Sequence, residues 1–324
     1  MRDDVLAQPG QVADALWRTD AAKVPDKKIP GGLMVCGMGG SAIGGDLAAG
    51  AIGARATAPL RTVRGYEPDP WLSRDTLVLC ASYSGSTEET LSCFEAAGRV
   101  GAPRVALTTG GPLAERARED GVPVIGVPSG MQPRASVVYM TVAALECAAL
   151  CGAAPSLRNE LKEATQVLNS LAADPAEAAS VAATLADTLV VAHGAGLTAP
   201  VARRWKTQLN ENAKISAFAS ELPEANHNEI EGWAWGSDHA PMSAVILEAP
   251  GVHPRIARRS ELTCEHLEEA GVPVARVNAR GDSPVAHVLS LVMLGDLVSV
   301  ELAERRGVDP TPVESIEAFK SRLG

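Results

Sequence analysis

Short apolar runs alternate with longer amphipathic stretches from one end of the chain to the other. In the first half the runs predict strands at Leu33–Gly37, Leu60–Val63, Thr76–Ala81, Arg104–Thr108 and Val122–Val127. Segments with helical spacing fall between or after them, at Ala42–Ala51, Glu88–Val100, Leu113–Glu119 and Ala135–Cys151. Strand followed by helix, repeated, predicts a parallel sheet covered on both faces, because each crossover lays a helix against the sheet. In such sheets ligands sit outside the carboxyl ends of the strands.

The second half repeats the pattern in degenerate form. The run Leu189-Val190-Val191-Ala192-His193-Gly194-Ala195-Gly196 echoes Leu33-Met34-Val35-Cys36-Gly37-Met38-Gly39-Gly40. Further strands are predicted at Ala244–Leu247 and Val274–Asn278, with helices at Thr198–Asn212, Pro254–Ala270 and Pro284–Arg306. Small residues and a proline at Gly152-Ala153-Ala154-Pro155 follow a long apolar helix and suggest a boundary there. Residues 1–152 and 153–324 are therefore expected to form two tandem α/β domains, with a helix-like stretch from Ser156 to Asp187 opening the second.

Composition narrows the classes of function. Of the 324 residues 46% are apolar and 21% charged, enough to bury a sizeable core, but aromatics are only 3%, so Ala, Val, Leu and Ile must build it. Lys and Arg number 29 against 39 Asp and Glu, a net charge of −10, which gives no global attraction to nucleic acid or an anionic membrane. The start, Met1-Arg2-Asp3-Asp4, lacks the order of a secretory signal. No uncharged run reaches the ~18 residues of a membrane span; Ala135 to Gly152 comes nearest and carries Glu146. Cysteines at 36, 80, 93, 147, 151 and 264 lie mostly in apolar segments and read as buried thiols, so the cytoplasm is the expected compartment.

Two loops carry candidate chemistry. Gly37-Met38-Gly39-Gly40-Ser41 joins a strand to a helix, where glycines let backbone N–H groups approach an anion. It is not a P-loop, since Gly45-Asp46 stands where Lys-Ser/Thr is required, and Ala42 takes the third glycine position of a dinucleotide fingerprint. A tight turn and a ligand site both remain open for it. Ser82-Tyr83-Ser84-Gly85-Ser86-Thr87-Glu88-Glu89-Thr90 is more telling. A helix cap needs one hydroxyl, and several crowd this turn, which favours a cradle for a phosphate monoester.

These two loops together resemble the sugar isomerase (SIS) domain, which binds phosphosugars. Met131-Gln132-Pro133-Arg134-Ala135-Ser136, Asn210-Glu211-Asn212-Ala213-Lys214 and Glu224-Ala225-Asn226-His227-Asn228-Glu229 narrow the likeness. With Asp309-Pro310-Thr311-Pro312-Val313 and Lys320 near the end, the ordered set resembles the bifunctional phosphoglucose/phosphomannose isomerases. The resemblance implies two SIS-type doubly wound parallel-sheet domains, flavodoxin-like three-layer αβα. It implies that Gly40, Ser41, Ser82, Ser84 and Thr87 hold a hexose 6-phosphate and that Arg134 lies near the reacting carbons. It implies Glu211 as catalytic base, and His227 and Lys320 as substrate-touching groups serving ring opening. It implies a homodimer with the active site near the subunit interface, no cofactor, and a role for the Thr311 region in admitting mannose 6-phosphate.

The residue types suit that chemistry. Aldose–ketose conversion moves a proton between C1 and C2 through an enediolate, which a shielded carboxylate can relay. A guanidinium stabilises the developing negative charge, and an imidazole serves the hydroxyl proton during ring opening. Taken without the family, Glu211 near a helix end and Lys320 in a terminal helix would read as surface charges, and His239 rivals His227. The histidines at 193, 227, 239, 253, 266 and 287 show no close ligand spacing, and Cys147 and Cys151 lack a second pair, so no metal is expected. Two competing readings are a non-enzymatic phosphosugar sensor, which would not need Glu211, His227 and Lys320 together, and an isomerase for another sugar phosphate.

Overall fold

The structure, a computed structural model, describes residues 1–235 and 240–323. Two compact units are found. One comprises Leu6–Ser170 and Arg280–Ser290, the other Met1–Val5, Leu171–Ala279 and Leu291–Gly324.

The first unit is built on five parallel strands: β1 (Leu33–Gly37), β2 (Leu60–Val63), β3 (Leu77–Ala81), β4 (Arg104–Thr108) and β5 (Val124–Gly126). Their spatial order is β2-β1-β3-β4-β5. Every residue of β1 and β3 is buried, as expected where helices cover both faces of a parallel sheet. On one face Met34, Cys36, Val78, Cys80 and Ala106 pack against Phe94 and Ala97 of helix Glu88–Arg99 and Leu113 and Ala117 of helix Gly111–Glu119. Helices Gly39–Ile52 and Val137–Leu150 pack on each other and on the strands, with helix Gln8–Ala21 against the latter. Gly44 is what allows the first pair to close: a Cβ there would lie 2.5 Å from the Met140 Cβ and 2.6 Å from its carbonyl carbon.

The second unit has four parallel strands: β6 (Leu189–Gly194), β7 (Ala217–Glu221), β8 (Met242–Glu248) and β9 (Val274–Asn278), ordered β7-β6-β8-β9. Val191, Ala244 and Ile246 face Cys264 and Leu267 of helix Pro254–Glu269 together with Trp233. Helix Ala199–Glu211 packs against β6 and β7. Its Trp205 is fully buried, donating its indole N–H to the Leu291 carbonyl at 2.9 Å, and Arg204 pairs with Asp296 at 2.7 Å with both side chains 1% exposed.

The predicted strands and helices of the first unit are found within a few residues. The expected strand at Val122–Val127 is shorter, Val124–Gly126, and a 3-10 turn over Pro133–Ser136 precedes the long apolar helix. The stretch from Ser156 to Asp187 is two helices, Arg158–Ala173 and Ala176–Leu185, separated at Asp174-Pro175, since proline cannot continue the hydrogen-bond ladder. Strand β7 was not foreseen. Among the described residues it pairs only with β6, and most of its residues are exposed or half-buried, so its sequence carries no apolar run. All six cysteines are buried free thiols. Helix Pro284–Arg305 has the length and hydropathy of a membrane span, yet 94% of its most apolar stretch is buried within the protein, which marks a core helix.

The Gly44 contact gives a paired stability test. Gly44→Val should cost about 1–3 kcal/mol in denaturant unfolding, by forcing the two helices apart. Gly10→Ala, in helix Gln8–Ala21 with nothing within 4 Å of the added Cβ, should instead gain about 0.5–1 kcal/mol.

Candidate functional site

In the first unit, strand order reverses at β1: its chain neighbour β2 lies on one side and β3 on the other. The loops leaving β1 and β3 therefore diverge toward opposite faces and open a crevice at the carboxyl ends of the strands. Both hydroxyl- and glycine-rich loops sit there.

After β1, Gly39 takes φ +49°, a left-handed conformation that glycine adopts without penalty, and helix Gly39–Ile52 begins with no side-chain cap. Gly40 presses against the Pro133–Arg134 backbone; a Cβ would meet the Arg134 Cα at 3.1 Å and the Pro133 carbonyl at 3.2 Å. The Ser41 hydroxyl accepts the Tyr83 N–H at 3.3 Å, which ties the first loop to the second.

The second loop is held by its own hydroxyls. Ser82 Oγ and Thr87 Oγ1 are 2.8 Å apart, and Ser82 Oγ also accepts the Gly85 N–H at 3.0 Å. Ser84 Oγ accepts from the Ser86 hydroxyl at 3.0 Å and its N–H at 3.3 Å, and both residues are exposed. Gly85 has φ +72° and no space for a side chain, since a Cβ would fall on the Gly110 carbonyl oxygen. Thr87 occupies the N-cap position of helix Glu88–Arg99 but makes no capping bond. The cap alternative thus fails on geometry. The threonine hydroxyl points to Ser82, and the start of the helix is left to another acceptor.

Tyr83 joins a third segment to this pair. Its hydroxyl donates to the Pro128 carbonyl at 3.2 Å and accepts the Met131 N–H at 3.1 Å. That anchors the segment leading to Arg134, which is 3% exposed and donates to the Gln132 side-chain carbonyl at 3.3 Å. A buried guanidinium, two helix starts and a ring of hydroxyls around one crevice can bind a tetrahedral anion and stabilise charge beside it. Gly40, Ser41, Ser82, Ser84, Thr87 and Arg134 are brought together as a group. Tyr83, a positioning residue, was missed, although it stood inside the quoted motif.

The remaining candidates lie in the second unit. Glu211 is the last residue of helix Ala199–Glu211 and is half-buried, not a fully solvated surface charge. Its flanking asparagines fix it: Asn210 donates to the Ile215 carbonyl at 2.8 Å, and the fully buried Asn212 donates to Ser299 Oγ at 2.9 Å. Lys214, at φ +56°, caps the helix end by donating to the Glu211 carbonyl and also donates to the Pro312 carbonyl. This clamp brings the segment 309–312 to the end of the helix that carries Glu211. There the Thr311 N–H and hydroxyl hold the Asp309 carboxyl below its ordinary range, with Lys214 adding to the effect. Lys320 ends helix Glu314–Lys320, none of whose residues is buried. His227, in the 3-10 turn Glu224–His227, is exposed and stands on a separate segment. The rival His239 lies outside the described residues.

The Tyr83 bridge can be tested directly. In Tyr83→Phe the Met131 amide should exchange with solvent about tenfold faster, followed by hydrogen–deuterium exchange, while the β3 amides keep their protection. Unchanged exchange at Met131 would mean the phenol does not hold the segment.

Comparison with known proteins bears on the family and the fold. Residues 174–323 match the bacterial phospho-glucose isomerase C-terminal SIS domain. A bifunctional phosphoglucose/phosphomannose isomerase from Aquifex aeolicus is 38% identical over 294 residues, covering 90% of each chain. One from Caldicellulosiruptor bescii is 35% identical over 301 residues, covering 90% of this chain and 89% of that one. Among solved structures, the C-terminal domain of glucosamine-fructose-6-phosphate aminotransferase from Francisella tularensis superposes with a TM-score of 0.75 at 15% identity, covering 96% of both, which speaks to the fold alone. With sequence kinship of that extent and two parallel-sheet SIS units, the chain belongs to the bifunctional phosphoglucose/phosphomannose isomerase family.

Proposed function

We propose that this protein interconverts glucose 6-phosphate and fructose 6-phosphate, and also mannose 6-phosphate, in the cytoplasm. The carrying observation is that Thr87, at the N-cap, makes no capping bond and lies instead 2.8 Å from Ser82, so that the start of helix Glu88–Arg99 has no side-chain acceptor. A phosphate monoester supplies that acceptor. Kinship over 90% of the chain supports the same substrate class. Six buried free thiols support a reducing compartment.

In this reading Ser41, Ser82, Ser84 and Thr87 bind the phosphate with the backbone of Gly40, and the sugar extends toward Arg134. His227 and Lys320 bind the sugar and handle the hydroxyl proton as the ring opens. Glu211 then takes the proton from C2 of the aldose and returns it to C1, through a cis-enediolate. Arg134 stays protonated throughout and stabilises the enediolate oxygens. Rotation about the C2–C3 bond of the enediol before reprotonation gives the C2 epimer, mannose 6-phosphate. The scheme moves protons only, and no step calls for a redox cofactor.

We assign His227 to the partner subunit's site in a homodimer, a role supported by its exposure on its own chain. Lys320 is also exposed, which leaves its ammonium open to a ligand.

Two measurements test the scheme. Glu211→Gln should lower kcat by about 10²–10⁴-fold and abolish proton exchange at C2 in deuterated water, while fructose 6-phosphate still binds. Normal exchange in that variant would remove Glu211 from the role of base. Mixing inactive Glu211→Gln and His227→Ala proteins should restore about a quarter of the wild-type rate, since each hybrid dimer assembles one intact site. No recovery after subunit exchange would return His227 to its own chain.

A further inference from the structure

Strand order in the second sheet also reverses, at β6, with β7 on one side and β8 on the other. A cavity of about 310 Å³ opens at this second switch point, walled by the ends of β6, β8 and β9 and by helix Pro254–Glu269. It lies wholly within the second unit and uses none of the residues assigned above. Its size is that of an ordinary small-molecule site.

Its chemistry differs from that of the first crevice. The position that could receive an anion after β6 is filled from within: Thr198 Oγ1 accepts the Ala195 N–H at 2.8 Å and donates to the Leu247 carbonyl at 3.1 Å. Where β3 runs into a hydroxyl loop, β8 ends in a carboxylate, Glu248. Arg276 donates to both of its oxygens, at 2.8 and 3.1 Å, and Ser260 donates at 3.1 Å. The guanidinium is thereby committed to a carboxylate, and among the described lining residues no other lysine or arginine would offset Glu248 for a phosphate.

His193 lines the same cavity at 1% exposure, and neither ring nitrogen has a partner among the described residues. In the echo between the two half-chains it stands where β1 has Gly37. Burial pushes its imidazole down to about 4, so it is neutral at physiological pH and offers one donor and one acceptor. A buried polar side chain in that condition calls for a partner. Leu222, Val252 and Ile256 add apolar lining to the cavity.

We propose that this cavity is a second ligand site, for a neutral polyhydroxylated molecule of monosaccharide size. Ligand hydroxyls satisfy His193 and the outer lone pairs of Glu248, and the C–H face of the ligand rests on the apolar wall. The absence of an open anion cradle selects against the phosphorylated sugars bound by the first unit.

The test uses the full chain and titrations with D-glucose, D-mannose and myo-inositol, followed by the NMR shifts of the Ile256 methyl and His193 ring resonances. At least one should give saturable shifts that persist in the presence of saturating fructose 6-phosphate. Ala257→Trp, at an exposed helix position on the cavity mouth, should weaken that binding about tenfold or more and leave isomerase turnover unchanged. The proposal is overturned if none of the three shifts these resonances up to about 100 mM. It is equally overturned if Ala257→Trp binds as well as wild type, or if inorganic phosphate displaces the sugar. Turnover is read separately, so loss of one result does not obscure the other.

Discussion

Reversal of strand order beside the first strand is the constraint on which the rest of the first unit depends. Parallel strands demand crossover connections of one hand, and those that leave β1 and β3 must pass to opposite faces. The gap between them cannot be closed by either helix. Packing then brings the third segment in: Gly40 has no side chain, so the Pro133–Arg134 backbone can lie directly against it, and Tyr83 secures the other side. The hydroxyl-rich turn and the buried guanidinium are neighbours because of glycine and phenol contacts a few residues away from either.

Much of this was legible in the chain itself. Strands buried on both faces must be apolar throughout, so β1 and β3 announce themselves, as does the helix between them. The hydroxyl cluster at Ser82–Thr87 could also be read, because a cap explains only one of its members. Other features obey rules that leave little trace in one sequence. Strand β7 is an edge strand with mixed polarity, and its existence depends on the N–H and C=O row of β6. The half-buried setting of Glu211 comes from Asn212 reaching Ser299, nearly ninety positions away, and from Lys214 reaching Pro312. Helical periodicity places a carboxylate on a helix, but contacts at that separation decide whether it is shielded.

The two sheets show one topology put to different uses. In the first, hydroxyls crowd the turn after β3 and the helix start there has no side-chain cap; in the second, β8 ends in Glu248, and Thr198 bonds the Ala195 N–H after β6. A duplicated framework keeps its crevice because strand order imposes it, whereas the chemistry lining the crevice changes one side chain at a time.

The tail beyond Pro312 is attached in an unusual way. Its helix buries no side chain, and the Lys214 ammonium fastens the preceding segment to the end of the helix that carries Glu211. A helix that packs no side chain into a core opens at smaller energetic expense than one such as Ala199–Glu211, whose Trp205 and Leu209 are fully buried. Lys320 ends the tail helix. Local opening of the last helix can therefore occur while the carboxylate of Glu211 stays on a firmly packed helix.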